Sequence, residues 1–298
     1  MSKIKIVSFS STTSDKENFL TEDTVEKLRA QIQGDVLLPS DEGYDQARKI
    51  WNGMIDKRPA LIVRCTGPAD VIDAVKFART HDLLVSVRGG GHNVSGTALC
   101  NDGMVIDLSK MKGIRVDVKS ATARAQAGVT LGELDRETQV FGLSVPSGIV
   151  TTTGIAGLTL GGGFGHISRR YGLSIDNLIS VDIVTAEGEF LTASETENED
   201  LFWGLRGGGG NFGVVTSFEY MLQKIGPIVF GGMLLHPMEK AAEFLRFYRD
   251  FIADAPDELT VVPLLRLAPP APFLPKELHG KPVVGILTTY AGSIEEGE

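Results

Sequence analysis

The stretch from residue 85 to residue 93 reads Val-Ser-Val-Arg-Gly-Gly-Gly-His-Asn, an apolar run that ends in three glycines and a histidine. This pattern predicts a strand that leads into an anion-binding loop. Consecutive glycines let successive backbone N–H groups converge on an anion, because no Cβ lies in the way, and Arg88 adds positive charge at the mouth of the loop. We therefore expect a phosphate group on this loop, with His92 beside it.

Two further glycine clusters follow, at 154–165 and 207–213. In the first of these, glycine is mixed with small residues, a composition that suits a flat ring lying against backbone, because a bulky side chain would block its face. A tight structural turn or close helix packing would explain the same composition. Since a single phosphate does not need three such places, we expect a large ligand.

The third cluster contains G-x-G-x-x-G at 208–213, which taken alone suggests a nicotinamide-dinucleotide loop. That fingerprint needs a strand before it and a helix after it. Here a helix-like segment at 201–205 precedes the glycines, and the β-branched residues 214–216 follow them. The context therefore argues against a Rossmann domain.

The side chain most suited to chemistry is His92. An isolated loop histidine would most simply bond to nearby backbone, but the flanking glycines and Asn93 favour a functional residue, either a general base or a nucleophile attached to a cofactor. The histidines at 81, 92, 166, 236 and 279 have no metal-ligand spacing, and neither do Cys65 and Cys100, so we expect no metal site.

Composition restricts the partners. The chain has 298 residues, 42% of them hydrophobic, and a formal net charge of -9 with scattered Lys and Arg. This balance argues against nucleic acid or an anionic membrane as the main partner and is compatible with a buried anionic ligand. Residues 1–13 have no apolar core of signal-peptide length, and no apolar run approaches the length of a membrane span, about 18 residues. The presence of only two cysteines favours a reducing compartment. We predict a cytoplasmic protein and leave the oligomeric state open.

Short strands and helices follow one another without strict alternation, which predicts the α+β fold class. We expect an N-terminal helical cap over 1–54, with helices at 24–32 and 44–54, and a ligand-binding domain over 55–225, with a helix at 68–80. Glycine density falls near 226–227, so a second, partial domain over 226–298 is expected. Its strands at 229–235 and 282–290 would lack partners.

Several blocks match a known family in their order along the chain. They are Arg88–Asn93, Pro146–Gly148, Gly154–Gly165, Arg170–Leu173, Asp176–Asn177, Leu201–Trp203 and Arg206–Thr216. Together they resemble flavoproteins with the vanillyl-alcohol-oxidase-type, or PCMH-type, FAD-binding domain, most closely the berberine bridge enzyme and 6-hydroxy-D-nicotine oxidase branch. The resemblance implies two α+β subdomains that hold FAD between them over 55–225. It also implies the start of a substrate domain, with an antiparallel sheet and helices, over 226–298.

The resemblance also implies which residues contact FAD. A histidine at the position of His92 bonds covalently to the 8α carbon of the flavin, and Val150 stands where some relatives have a second, cysteinyl link, so a single link is expected. The first glycine loop would hold the pyrophosphate, and the later two would contact the ring system and ribityl chain. The implied contacts are His92, Arg88, Gly89, Gly90, Gly91, Asn93, Gly148, Thr153, Gly154, Gly157, Gly161, Gly162, Gly210, Asn211, Gly213 and Val215.

The implied function is that of an FAD-dependent oxidoreductase of the oxidase type. A small organic substrate (an alcohol, carbohydrate, amine or alkaloid-like metabolite) would give a hydride to the flavin, and dioxygen would reoxidise it. Relatives continue beyond the position of Glu298 and carry most acid-base residues there, so no catalytic residue is assigned. The alternatives are a non-catalytic flavin- or nucleotide-binding fragment and, less favoured, an NAD(P)-dependent dehydrogenase.

Overall fold

The computed structural model describes residues 5–9 and 18–298, which form the predicted α+β fold. The strands are β1 (Lys5–Phe9), β2 (Asn18–Thr21), β3 (Asp35–Leu37), β4 (Leu61–Arg64), β5 (Val85–Arg88), β6 (Met104–Asp107), β7 (Ile114–Asp117), β8 (Thr122–Gln126), β9 (Leu143–Ser144), β10 (Leu178–Val184), β11 (Phe190–Ser194), β12 (Val214–Met221), β13 (Gln223–Lys224), β14 (Phe230–Pro237), β15 (Leu259–Leu267) and β16 (Pro282–Tyr290).

The α-helices are α1 (Glu22–Gln31), α2 (Tyr44–Ala47), α3 (Pro68–Thr80), α4 (Leu131–Gln139), α5 (Ile155–Leu160), α6 (Ser168–Tyr171), α7 (Glu199–Leu205), α8 (Ala241–Ala253) and α9 (Ile294–Gly297). Short 3-10 turns occur at Ser174–Asn177, Met238–Lys240 and Lys276–Leu278. In the part of the chain that the structure describes, no helix combines the length and apolar character needed to cross a bilayer.

The first sheet has the strand order β3-β4-β6-β5, and both β4 and β5 run parallel to β6. Residues 61–63 and 104–106 form its centre and are fully buried, as is typical of parallel strands. Helix α3 provides the crossover from β4 towards β5, and it spans the predicted range. β5 forms one end of this sheet and leads directly into the first glycine loop.

The second sheet is antiparallel and has the order β11-β10-β12-β8-β7. On β8 and β12, Ala123, Ala125 and Phe218 face the main core and are 0% exposed. Strand β12 begins immediately after the third glycine cluster. The second sheet thus fixes the position of the third glycine cluster relative to the first glycine loop.

The N-terminal segment contains strands as well as helices in its described part, whereas the sequence predicted a helical cap over 1–54. Strand β3 pairs with β4 and extends the first sheet. The predicted helix at 44–54 stops at Ala47, because the chain turns to bond another loop: Arg88 donates to the Ala47 carbonyl, and the Trp51 amide donates to the Gly91 carbonyl at 3.1 Å. Residues 1–4 and 10–17 of the predicted cap lie outside the described residues.

The last sheet is antiparallel with the order β14-β16-β15. The two strands predicted to lack partners, β14 and β16, therefore pair directly with each other, and β16 also pairs with β15. Strand β15 was absent from the sequence prediction because Pro263 interrupts its pattern. Proline is tolerated there because β15 lies at the edge of this sheet. Helix α8 packs against β15 and β16. The division into regions at 55 and 226 stays a prediction.

Candidate functional site

A cavity of about 770 Å³ lies between β5 of the first sheet and the start of β12 of the second. All three glycine clusters contribute to its wall. The volume is in the range of about 300–1,000 Å³ that is common for ligand and cofactor sites. Its lining residues are Val85, Ser86, Val87, Gly89, Gly90, Gly91, His92, Asn93, Thr97, Ala98, Leu108, Thr153, Gly154, Ala156, Gly157, Leu158, Leu160, Gly161, Gly209, Gly210, Asn211, Gly213 and Val215.

The first two glycine segments touch through their backbones at Gly90 and Gly154. A Cβ on Gly90 would lie 2.3 Å from the Gly154 nitrogen, and a Cβ on Gly154 would lie 2.4 Å from the Gly90 nitrogen. No side chain fits at either position, and Gly91 adopts a φ of 69°, which favours glycine. This contact fixes the His92 loop against the start of α5.

The second glycine segment forms helix α5, which the sequence analysis did not predict. At Gly157, on the cavity side of this helix, a Cβ would have no heavy atom of the described residues within 4 Å apart from its chain neighbours and the backbone of the same helix. The backbone there faces open space that a flat ring can occupy. The loop after α5 returns through Gly162, whose φ is 112°.

The third glycine segment joins α7 to β12. The Gly209 amide donates to the Leu160 carbonyl at 3.1 Å, which ties this loop to the end of α5. A Cβ on Gly213, where φ is 145°, would lie 2.4 Å from the Val184 oxygen. At Gly210, by contrast, a Cβ would meet none of the described atoms within 4 Å. This wall therefore combines one packed glycine with backbone that is open to the cavity.

His92 is partly buried on the cavity wall and has contacts on three sides. Its Nε2 lies 2.9 Å from Oγ1 of Thr152, and its Nδ1 lies 3.3 Å from Oγ1 of Thr153. The Trp51 ring stacks on the imidazole with the centroids 5.3 Å apart and an angle of 25° between the planes. Partial burial lowers the pKa of His92 below its ordinary value, so the ring is neutral at pH 7.

The structure brings most of the predicted contacts to the cavity, but three of them do not line it. The guanidinium of Arg88 donates to the Ala47 carbonyl, so its charge lies behind the loop and not at the mouth. A Cβ on Gly148 would lie 2.5 Å from the Leu158 side chain, which makes this a packing glycine. Gly162 is buried and serves the turn after α5.

Ten lining residues were not among the individual contacts predicted from the sequence, although four of them (Ala156, Leu158, Leu160 and Gly209) lie inside the predicted glycine clusters. The ten are Val85, Ser86, Val87, Thr97, Ala98, Leu108, Ala156, Leu158, Leu160 and Gly209. Consecutive residues of a strand point to opposite faces, so the presence of residues 85, 86 and 87 together means that the edge of β5 faces the cavity. The remaining apolar residues pack as ordinary core residues do, and their types gave no indication of a ligand.

The lining fits an anionic, partly flat cofactor such as FAD. Among the described residues, no Asp or Glu lines the cavity, so a diphosphate would meet no like charge. Glycine backbone faces open space at several points of the wall. The described part of the chain also contains no group of three His, Cys, Asp or Glu side chains that could hold a metal ion.

These features define a domain with a cavity suited to a large anionic cofactor, between a mixed and an antiparallel sheet. In comparison with known proteins, the family model described as an FAD binding domain matches residues 59–194. The (R)-6-hydroxynicotine oxidase of Paenarthrobacter nicotinovorans is 42% identical over 194 residues, which is 65% of this chain and 42% of that protein.

Two solved structures are similar over most of the chain. The crystal structure of 6-hydroxy-D-nicotine oxidase from Arthrobacter nicotinovorans has a TM-score of 0.81 and 33% identity, covering 89% of this chain and 57% of that chain. BBE-like 1 of Physcomitrella patens has a TM-score of 0.81 and 27% identity, covering 91% and 57%. These matches show an FAD binding domain in the chain, and the chain is similar to PCMH-type flavoproteins of the berberine bridge enzyme and 6-hydroxy-D-nicotine oxidase-like branch.

The matches extend over only part of these proteins. The chain spans about half the length of the curated relatives it matches, covering 42%, 52% and 45% of three of them. Those three are named as an oxidase and two FAD-linked oxidoreductases. These names describe the relatives and not this chain.

Proposed function

We propose that the chain binds FAD in the glycine-lined cavity and acts as an FAD-dependent oxidoreductase on a small organic substrate. The observation that carries the proposal is the cavity itself, where three glycine segments present open backbone and His92 stands on the wall. The oxidase and oxidoreductase names of the relatives support the reaction class. When bound, FAD supplies the acceptor for a hydride from the substrate.

Different parts of the cavity wall contact different parts of FAD. The backbone of residues 89–91 and the amide of Asn93 bind the pyrophosphate, because this loop offers N–H donors without side chains in the way. Helix α5 presents Gly157 to a flat ring. The apolar side chains of β5 and Leu158 exclude water from the same space.

The second part of the proposal is a covalent bond from His92 to the flavin. The imidazole lines the cavity, and its lowered pKa favours the neutral form, in which one ring nitrogen carries a lone pair that can act as a nucleophile. The position of a possible second link carries Val150, an aliphatic side chain that forms no thioether. We therefore propose a single link.

For the substrate we propose an alcohol, carbohydrate, amine or alkaloid-like metabolite, and for the electron acceptor dioxygen. No carboxylate of the described residues lines the cavity, so no general base is assigned here. Stopped-flow mixing of the reduced protein with aerated buffer tests the acceptor. Reoxidation that is no faster than in an anaerobic control would exclude dioxygen.

A flavin-binding module without catalysis is the second candidate. The feature that favours it is the last sheet, where Leu234, Leu265 and Leu267 are 57–60% exposed. A substrate site normally needs a covered apolar wall. Bound FAD that no hydride donor bleaches under anaerobic conditions would support this reading. A nicotinamide-dependent dehydrogenase is disfavoured because α7 precedes the third glycine loop and β12 follows it.

Acid precipitation tests the main proposal. The purified chain, loaded with FAD, is denatured with acid, and pellet and supernatant are scanned for flavin absorbance. We expect flavin in the pellet for the wild type and in the supernatant for His92→Ala. His166→Ala is the matched control, because His166 follows the second glycine cluster without lining the cavity. Flavin in neither fraction would overturn FAD binding.

A further inference from the structure

The segment from Ile50 to Lys57 lies along the outside of the His92 loop. The Trp51 amide donates to the Gly91 carbonyl at 3.1 Å, and Nδ2 of Asn52 donates to the Val94 carbonyl at 2.7 Å. At the C-terminal end of the segment, Nζ of Lys57 donates to the Gly96 and Leu99 carbonyls at 2.8 and 2.9 Å. The loop is thus held from behind by a segment about forty residues upstream.

The fit between the two segments is close. A Cβ on Gly91 would lie 3.3 Å from Ile50, and a Cβ on Gly96 would lie 2.8 Å from Ile55. Against this fixed backbone, the Trp51 ring lies on one face of the imidazole. Stacking on the aromatic ring restricts rotation of the imidazole about its χ2 torsion, which is otherwise broad.

The two ring nitrogens of His92 lie on different sides. Nε2 faces Thr152, which is exposed and does not line the cavity, whereas Nδ1 faces Thr153, which does line it. The stronger contact, 2.9 Å against 3.3 Å, is the one on the outer side. A hydrogen bond that places the proton on Nε2 leaves the lone pair on Nδ1, the nitrogen nearer the cavity.

We propose that Trp51 and Thr152 are positioning residues that hold the His92 ring, with Nδ1 towards the cavity, for formation of the covalent flavin bond. Trp51 fixes the plane of the ring, and Nε2–H donates a hydrogen bond to Oγ1 of Thr152. This inference rests on the covalent link of the proposed function. Both positioning residues lie outside the three glycine clusters.

Formation of the bond between His92 and the flavin is a two-electron oxidation. The net reaction replaces the imidazole N–H and one C–H of the flavin's 8α methyl by a C–N bond, and dioxygen takes up the two protons and two electrons as hydrogen peroxide. The protein's part is to keep one lone pair aimed at one carbon. A small misplacement of reacting atoms can cost about 100-fold in rate, so loss of either positioning contact slows the link.

The experiment measures how fast acid-stable flavin appears when apo-protein is mixed with FAD. We expect Thr152→Val, which keeps the shape but removes the hydroxyl, and Trp51→Ala to slow the reaction at least about tenfold. Thr152→Ser and Trp51→Phe are expected to restore most of the rate. The matched controls are Thr151→Val, on the same loop, and Met54→Ala, on the same segment and 90% exposed.

Total FAD bound before denaturation separates positioning from folding. We expect it to be unchanged in Thr152→Val and in Trp51→Phe. If wild type and all variants form acid-stable flavin equally fast, the positioning roles are wrong and the covalent link stands. If the wild type binds FAD but releases all of it in acid, the covalent link fails and the positioning roles fail with it.

Discussion

Gly90 and Gly154 lie backbone against backbone, so that a Cβ on either residue would come within 2.4 Å of the other's nitrogen. Two loops separated by more than sixty residues in sequence therefore meet at a point where only glycine fits. The His92 loop and the start of α5 take their positions in the cavity wall from this contact.

The first prediction concerns this contact. Gly90→Ala is expected to lower the free energy of unfolding by about 3 kcal/mol, because backbone on the other side cannot move away as a flexible side chain could. FAD binding should be lost with it. Urea unfolding and flavin content measure the two effects, and Gly210→Ala, where a Cβ meets none of the described atoms within 4 Å, is the control for the loss of stability. An unchanged unfolding midpoint in Gly90→Ala would contradict the prediction.

The second prediction separates stability from binding at Gly157. Gly157→Ala should raise the stability of the apo-protein by about 0.5–1 kcal/mol, because alanine favours the helical backbone of α5. The same Cβ projects into the cavity and should weaken FAD binding. Thermal unfolding of the apo-protein and titration with FAD would show opposite signs. A variant that binds FAD as tightly as the wild type would mean that the ring does not lie against Gly157.

The third prediction is a pH dependence set by Asp70, which is 3% exposed. Burial alone would raise its pKa, but hydrogen bonds from Thr66, Gln33 and Gly34 outweigh burial and hold the pKa below the ordinary value of 3.8. A folded pKa below the unfolded one means that the stabilisation is complete above about pH 4 and is lost as the pH falls through the folded pKa.

Asp70→Asn tests this pH dependence, because an amide cannot accept all of these bonds. We expect a loss of about 3 kcal/mol at pH 7. Urea unfolding of wild type and variant between about pH 7 and pH 3 should show the difference shrinking as the pH falls. Asp73→Asn, on the same helix, is the control. A difference that stays constant with pH would contradict the assignment.

The fourth prediction concerns two arginines of α6 that bind the last sheet. Arg169 donates to the Leu259 and Ala255 carbonyls at 3.0 Å each, and Arg170 donates to the Ala291 carbonyl. Arg169→Ala should therefore speed hydrogen exchange in β15 and β16 while β6 and β12 stay protected. Arg249→Ala, in which an exposed arginine loses only its bond to the neighbouring Asp250, is the control. Equal exchange in both variants would show that Arg169 does not hold the sheet.

Much of this architecture follows from local sequence pattern. Helix α3 and strand β16 have the predicted bounds, and the order of α7, third glycine loop and β12 excludes the Rossmann reading as predicted. Helix α5 was missed because glycine dominates residues 154–163, and glycine disfavours a helix unless neighbouring elements hold it. In this protein the Gly90 contact and the Gly209 amide supply that support.

The site was predictable where glycine marks it and not elsewhere. His92 was found because three glycines precede it. Trp51 and Thr152 were not, because contacts of His92 with residues about forty positions upstream and 60 positions downstream leave no periodic pattern in the sequence. The prediction that Arg88 lies at the mouth of the loop was wrong. Its guanidinium donates to the carbonyl of Ala47, the last residue of α2, whereas the sequence predicted that this helix continues to residue 54.

Strand β5 ends the first sheet with its outer edge turned towards the cavity. On that side no strand of the described residues pairs with it. An unpaired strand edge is a template on which another chain can add. The ligand that fills the cavity thus also shields a surface prone to self-association, and the empty protein is expected to aggregate sooner than the loaded one.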